Sequence, residues 1–238
     1  IMKRLTESWF EFSGVKSTSM GVILRAMPRR PIPAERGQAI TVPGRSGSLW
    51  IGENGAYDAI KISAECESAA GYDSEKAAAW LKGRTGMLRF SDEPERAYRA
   101  RCIASFAREN KFLSFDTQIF TVEFDCQPHR YVYPAPEAVT LTSAGTIANA
   151  GTAESLPRIA ITAAGDYAVT VNGYEIEITG GSAVIDSELE DCFDADGVTL
   201  ANSRVTMSAF PRLKGGANSV SWTGSVSSVT IERRSRSL

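Results

Sequence analysis

The sequence predicts a mainly β protein with one short helix, divided into two domains. Apolar and polar residues alternate in many short runs, which is typical of strands with one buried face. Helical spacing of apolar residues occurs in one convincing segment, between Ser74 and Gly83. Near the middle of the chain, Pro134 and Pro136 fix two backbone φ angles within three residues and indicate a linker.

Composition and charge exclude several classes of protein. Of 238 residues, 43% are hydrophobic and 23% charged, which excludes disordered and collagen-like chains. No run approaches the roughly 18 apolar residues of a membrane-spanning helix. Residues 1–133 carry 19 basic and 16 acidic side chains, a balance of plus three, whereas residues 134–238 carry 7 and 12, a balance of minus five. Because nucleic-acid binders need a strongly basic face, sequence-specific DNA recognition is not expected.

The N-terminal half begins with two predicted strands and a long arm. Trp9–Phe12 and Met20–Arg25 are strand-like, and the Ser/Gly/Thr-rich segment between them predicts a hairpin-type connection. The chain from Met27 to Gly47 is rich in proline, so we expect an extended arm in which Gly44 and Gly47 mark turns.

The predicted helix follows the arm. Asp73 or Ser74 supplies the N-cap, and Gly83 ends the helix. The apolar residues that share one helical face are Ala77, Trp80 and Leu81.

Three β segments complete this half. A hairpin is predicted from strand Gly86–Phe90, a polar tip Ser91–Arg96 and a strand Tyr98–Ala107. The inward side chains of the second strand are Tyr98, Ala100, Cys102, Ala104 and Phe106. Those of the next strand are Phe120, Val122, Phe124 and Cys126.

The C-terminal half contains only strand signals. Asn172 and Gly173 favour a tight type I′ turn. About eight short strands of this spacing predict a β-sandwich or jelly roll. The strand-like runs are Ala138–Thr142, Arg158–Thr162, Tyr167–Val171, Tyr174–Ile178, Ala183–Ile185, Val205–Ala209, Ser219–Trp222 and Val226–Ile231.

The sequence predicts no catalytic, cofactor or metal site. His129 is the one histidine, and without a nucleophile elbow or a second histidine it is interpreted as a surface or inter-domain packing residue. The acidic run from Asp186 to Gly197 resembles a calcium loop but has Cys192 and Ser203 where EF-hand ligands are needed.

Two further sets of residues were considered for chemistry. Glu175 and Glu177 lie on the polar face of a predicted strand, which is usual for a half-solvated sheet. The four cysteines form no CxxC pair and are expected to be buried free thiols, although Cys102 and Cys126 lie in neighbouring strands and could face each other.

Arginines are concentrated around the proline-rich arm. One interpretation is a solvated charged loop. The other is an arm lying across a neighbouring subunit, where arginine forms bidentate ion pairs. Both remain open, and the candidate interface residues are Arg29, Arg30, Arg36 and Arg45, with Arg25 close by.

Short motifs in order along the chain resemble a known family. The first half, with Trp9-x-Glu-Phe-x-Gly14, Val42-Pro-Gly-Arg-Ser-Gly47, Gly86-x-Leu-x-Phe-Ser-Asp-Glu-Pro94 and Phe124-x-Cys-x-Pro128, resembles the N-terminal domain of siphophage distal tail proteins. The second half resembles the galectin-like C-terminal domain of that family, through motifs that include Val171-Asn-Gly173, Ile185-Asp-Ser-Glu188, Phe210-Pro-x-Leu213 and Trp222-x-Gly224.

The resemblance implies a domain organisation. We expect an N-terminal ring-forming tail domain at 1–133, which is a mixed β-sandwich with a helix and an extended arm or hairpin. A proline-rich linker at 134–137 and a C-terminal galectin-like β-sandwich at 138–238 would follow.

The resemblance also implies a structural role without catalysis. The protein would form a homohexameric ring at the tip of a long non-contractile tail, encoded by a phage or prophage and assembled in the host bacterial cytoplasm. Its partners would be its own copies, the tail tube protein, a tail-tip hub protein and, in some phages, receptor-binding proteins, with no membrane insertion.

Two alternatives of other classes stay open. A carbohydrate-binding adhesion module would use the C-terminal sandwich, with Tyr167, Tyr174 or Trp222 as the aromatic platform, although strand periodicity favours a core position for Trp222. A cell-wall hydrolase would need His129 or an acidic pair.

Overall fold

The chain forms two compact units. The computed structural model describes residues 8–52, 55–69, 71–103, 109–110 and 118–238. Residues up to Arg130, together with Leu238, form the N-terminal unit, and Tyr131–Ser237 form the C-terminal unit. The predicted mainly β fold with one short α-helix is confirmed for these residues. Within them, no helix has the length and apolar character needed to cross a membrane.

Strands dominate the N-terminal unit, and we number them in chain order. The strands are β1 (Phe10–Phe12), β2 (Val15–Lys16), β3 (Val22–Leu24), β4 (Gln38–Thr41), β5 (Ser48–Ile51), β6 (Ile60–Ser68), β7 (Thr85–Phe90), β8 (Arg96–Cys102), β9 (Glu109–Asn110) and β10 (Gln118–Val132), the last of which runs two residues into the other unit. The helices are α1 (Ser74–Leu81) and a 3-10 helix, Ser17–Met20.

One curled sheet holds most of these strands, in the order β2-β1-β7-β8-β10-β6-β3. The sheet returns on itself, because the backbone N–H of Leu24 in β3 donates to the carbonyl of Ser8 just before β1, at 3.3 Å. The predicted hairpin between the first two strands is wrong. β1 pairs with β2 and β7, whereas β3 pairs with β6, so the Ser/Gly-rich segment carries a short strand and a 3-10 helix instead of a turn.

Alternation along β6 and β10 fills the interior of this unit. Phe120, Val122, Phe124 and Cys126 are buried as predicted, while their neighbours in sequence face outward. The inward positions of β8 are confirmed for Tyr98, Ala100 and Cys102. The predicted positions Ala104 and Phe106 lie outside the described residues.

Helix α1 is confirmed and covers this core. Its N-cap is Asp73, whose Oδ1 accepts hydrogen bonds from the backbone N–H groups of Glu75 and Lys76, at 2.9 and 3.2 Å. Trp80 stacks on Phe10 with ring centroids 5.5 Å apart. Its indole N–H donates to the carbonyl of Phe12 at 3.1 Å, so the helix is joined to β1 by both packing and a hydrogen bond.

The C-terminal unit is built from the remaining strands. They are β11 (Val139–Leu141), β12 (Gly145–Asn149), β13 (Arg158–Val171), β14 (Tyr174–Ile178), β15 (Ala183–Asp186), β16 (Asp191–Asp194), β17 (Val205–Met207), β18 (Gly216–Glu232) and β19 (Arg236–Ser237), with a 3-10 helix at Asn202–Arg204.

Two long bent strands organise this unit. β13 and β18 pair along their length, and the ladder is irregular between Thr162 and Tyr167. The sequence predicted two short strands in place of each, and that prediction is wrong, because Gly165 and Gly224 mark bends rather than strand ends. Gly224 has φ +86°, and a Cβ there would lie 2.8 Å from the carbonyl oxygen of Asp166, so this close approach requires glycine.

The bend produces two layers. Residues 158–161 of β13 pair with β15, whereas residues 167–171 pair with β14. β11 and β12 pair with opposite ends of β18. Strands β12, β16 and β19 were not predicted. The buried core drawn from both layers includes Ile147, Ile159, Val169, Val171, Ile176, Ile178, Ile185, Val220, Val229 and Ile231.

Candidate assembly surface

An exposed hairpin extends from the curled sheet of the N-terminal unit. Among the residues that the structure describes, strands β4 and β5 pair only with each other, as a two-stranded sheet. The chain leading to and from them is also paired. The backbone N–H of Arg36 donates to Ala56 at 2.8 Å, and that of Asp58 donates to Ala34 at 2.9 Å. The predicted arm, from Met27 to Gly47, therefore includes the first strand of this hairpin. From here on, the arm means the described residues between 34 and 58, and residues 27–33 are the proline-rich segment before it.

The arm exposes an aliphatic face. Residues directly opposite in antiparallel strands share a face, so Ile40 lies beside Leu49, with Ile51 two residues further along the same face. Their exposed fractions are 37%, 37% and 50%, respectively. The opposite face carries Trp50, which is 60% exposed. Two-stranded hairpins are marginally stable alone, and exposed apolar patches commonly mark interaction sites. The aliphatic face, defined as Ile40, Leu49 and Ile51, is therefore the candidate contact surface.

Two of the predicted interface arginines form ion pairs within the N-terminal unit. Arg36 donates through Nε to Asp58 at 2.7 Å, across the paired base of the arm. Arg30 contacts Asp92 and Glu93 in the turn between β7 and β8. Both side chains therefore contribute to the structure of this unit.

The other two predicted arginines face solvent. Arg29 and Arg45 are exposed, and neither forms an ion pair with any residue that the structure describes. Arg25, which was considered with them, pairs with Glu65 at 2.6 Å. The sequence alone could not distinguish the arginines that form internal ion pairs from those that stay exposed, because the acidic partners lie 22 to 63 residues away along the chain.

His129 packs beside the arm. Its ring lies edge-on to Tyr57, with ring centroids 6.1 Å apart and an interplanar angle of 85°. Tyr57 belongs to the same unit, so this contact is a packing contact within the N-terminal unit rather than an inter-domain one. Among the described residues, no three His, Cys, Asp or Glu side chains are grouped closely enough to hold a metal ion.

A proline-lined cavity of about 350 Å³ lies next to the base of the arm. Its charged walls are Arg30, Glu93 and Arg130. Glu93 accepts from both guanidinium groups, at 3.2 and 3.3 Å. Arg130 also donates to the carbonyl of Leu238 at 2.9 Å. The cavity is thus bordered by an internal ion network.

The acidic run of the C-terminal unit is partnered internally. Arg234 donates to both carboxylate oxygens of buried Asp186, at 2.7 and 2.8 Å, and contacts Glu188 at 3.2 Å. Arg204 pairs with Asp194. Asp196 accepts from the backbone of its own turn. These carboxylates therefore stabilise strand ends and turns, and the arginines that bind them were not identified from the sequence.

The pKa of Asp186 lies below its ordinary value. Burial, the largest influence, raises the pKa, but hydrogen bonds from Arg234, its charge and the N–H groups of Leu189 and Glu188 together outweigh it. A lowered folded-state pKa stabilises the fold at any pH above the unfolded value of about 3.9, and this stabilisation disappears as the pH falls through the folded value.

We expect Asp186→Asn to lower the free energy of unfolding by about 2 kcal/mol at pH 7, because Arg234 loses its ionised partner. The difference from wild type should shrink below about pH 4, as the wild-type carboxylate becomes protonated. Urea titrations at several pH values measure this. Glu188→Gln is the control, since its more exposed carboxylate contacts the same arginine. If the difference in the free energy of unfolding between variant and wild type stays constant with pH, the substitution removes packing rather than a charge interaction.

The three aromatic side chains proposed as a sugar-binding platform differ in their exposure to solvent. Tyr167 is buried, and burial raises the pKa of its hydroxyl to about 12. Trp222 is half-buried against the core, as its periodicity predicted. Tyr174 is half-buried on β14.

All four cysteines are free and buried, as predicted. Cys102 and Cys126 are not joined in a disulfide. Burial raises the pKa of the Cys66 and Cys126 thiols to about 12 and that of Cys192 to about 11. Their thiolate forms are therefore scarce near neutral pH.

Comparison with known proteins gives matches among solved structures. The chain is similar to the SPP1 Dit (gp 19.1) protein, described as a paradigm of the hub adsorption apparatus in phages that infect Gram-positive bacteria, with a TM-score of 0.70 and 19% identity over 94% of this chain and 98% of that one. It is also similar to a chain of the phage P2 baseplate in its activated conformation with Ca, with a TM-score of 0.52 and 8% identity over 94% of this chain and 96% of that one.

No protein-family model matches the sequence. No curated protein matches it either. The structural likeness nevertheless extends over both units, and it confirms at the level of fold the resemblance to siphophage distal tail proteins that the sequence motifs predicted.

Proposed function

We propose that this protein is a structural hub of a phage tail tip. Copies of the chain would form a hexameric ring through their N-terminal units and connect the tail tube to the tail-tip and host-adhesion proteins. The C-terminal unit would be a galectin-like domain that carries further tail components. The protein would act in the virion, after assembly in the host bacterial cytoplasm, and it would have no enzymatic activity.

The fold supports this role at a general level. The similar solved structures belong to a hub adsorption apparatus and a baseplate. Because fold and function separate readily, the role must also be supported by a surface of this chain.

The observation that carries the proposal is the aliphatic face of the arm. Ile40, Leu49 and Ile51 lie on a hairpin that pairs with no other described strand, so their burial requires another surface. An arm that differs from the surface it contacts makes a head-to-tail interface, and repeated head-to-tail contacts with suitable rotation close into a ring. Exposed Arg29 and Arg45 are available for acidic groups on the next copy.

Light scattering during size-exclusion chromatography tests this proposal over a range of concentrations. We expect the purified chain, or the chain mixed with tail tube protein, to form a species of about 154 kDa, which is six copies of 25.7 kDa. Negative-stain images of that species should show a closed ring. A chain that stays at 25.7 kDa under both conditions would contradict the proposed ring.

A further inference from the structure

We propose that a cluster at the base of the arm fixes the arm's direction before a second copy binds. The base cluster consists of Arg30, Glu93, Arg130, Tyr57 and His129. The inference rests on the proposed function, since it assigns to these side chains the positioning of the contact surface. They are positioning residues because they lie at the base of the arm, whereas the aliphatic face lies on the hairpin itself.

Ion pairs hold the segment that enters the arm. Arg30 lies in the proline-rich segment just before the arm, and its side chain is only 18% exposed. Its guanidinium contacts Asp92 and Glu93, and it lies over the ring of Phe90 at 5.4 Å. Glu93 is in turn bound by Arg130 near the end of the N-terminal part of β10, at 3.3 Å. Three parts of the N-terminal unit that are distant in sequence thus meet at one carboxylate.

A separate aromatic contact holds the segment that leaves the arm. Tyr57 forms a β-bridge with Glu35 across the base and packs edge-on against His129. Arg30 and Tyr57 therefore attach the two sides of the arm to the curled sheet by different chemistry. A single attachment would let the arm swing about one point, whereas two attachments on its two sides restrict that rotation.

Restriction of the free arm favours assembly. A mobile arm must lose conformational freedom when it binds, and this loss weakens association. An arm that already points in the binding direction avoids most of the loss. The base cluster should consequently change the concentration at which copies assemble, without changing which residues touch in the assembly.

The direct test measures the arm in isolated monomers. The Leu49→Asp, Ile51→Asp background is expected to keep the chain monomeric, which light scattering verifies first. Spin labels at Arg45→Cys and Thr121→Cys then report the distance from the arm tip to the sheet. The native thiols are buried and should stay unlabelled. We expect a narrow distance distribution in this background and a broader one after Arg30→Met with His129→Ala. Arg158→Met is the matched control, because it removes a half-buried arginine and its 3.0 Å ion pair from the C-terminal unit.

Assembly provides the second readout, in the chain with its aliphatic face intact. Arg30→Met with His129→Ala should raise the concentration for half-maximal assembly about tenfold, whereas Arg158→Met should not. The single variants Arg30→Met and His129→Ala replace the double variant if its circular dichroism shows unfolding. An unchanged distance distribution would overturn the inference whether or not rings form, because it is measured in monomers. Absence of rings in the wild-type chain would instead count against the proposed function.

Discussion

Replacement of Leu49 and Ile51 by aspartate should convert the assembled protein to monomers. Both side chains lie on the aliphatic face of the arm, with exposed fractions of 37% and 50%. Burying a side chain of this size contributes about 1.5–3 kcal/mol, and an unpaired carboxylate in the same place is unfavourable. We expect the concentration needed for half-maximal assembly to rise by at least about a hundredfold, which light scattering measures.

The matched control places the same charges on the other side of the hairpin. Ala39→Asp with Thr41→Asp has the same spacing along a strand, but these residues share the face of Trp50. This control should assemble nearly as the wild type does. If both double variants assemble equally, the aliphatic face is not the contact. If both fail, charge on the arm matters more than which face carries it.

Phe124→Ala should cause a large loss of stability in the N-terminal unit. Phe124 is fully buried, and its ring centroid lies 5.6 Å from that of Phe10 and 5.3 Å from that of Phe12. Truncating a buried phenylalanine costs about 3–5 kcal/mol, whereas a whole domain is stable by about 5–15 kcal/mol. The substitution should therefore leave the unit only marginally folded at 25 °C.

Denaturant titration followed by tryptophan fluorescence checks this loss, because Trp80 stacks on Phe10 in the same cluster. Phe193→Ala is the control, since Phe193 is half-buried in the C-terminal unit and its removal should cost less. A loss below about 1 kcal/mol for Phe124→Ala would mean that the surrounding aromatic rings close the cavity.

Local sequence signals predicted the elements whose partners are near in the chain. Asp73 capped the predicted helix because an N-cap acts on the next two or three residues. Val122 and Phe124 were placed correctly because alternation is a property of one strand. Asn172 and Gly173 have positive φ at the predicted turn between β13 and β14.

Long-range pairing was not predictable in the same way. β3 resembles a hairpin partner of β1 in sequence, but its ladder pairing is with β6, more than 40 residues later. The structural meaning of a glycine in the sequence was ambiguous as well, since Gly165 bends a continuous strand whereas Gly44 lies in a turn. Both have positive φ, and only the neighbouring strand distinguishes the two uses.

The candidate contact surface on the arm was also only partly predictable from the sequence, because it depends on contacts between distant residues. The sequence identified the arm from its prolines and arginines, yet it gave equal weight to Arg29 and Arg30. In the structure, Arg30 forms ion pairs within the N-terminal unit, because Asp92 and Glu93 belong to a turn that folding brings beside it. The aliphatic face was also missed, because Ile40 and Leu49 share a face only when β4 pairs with β5, and that pairing was not predicted.

The two bent strands of the C-terminal unit determine how it unfolds. β13 and β18 supply backbone hydrogen bonds to both layers, so neither layer has a complete set of strands of its own. A half-sandwich intermediate would have to break both strands at the bend and expose the shared core. The unit should therefore unfold cooperatively in a single step, with the amide protons along the β13–β18 ladder exchanging last and together.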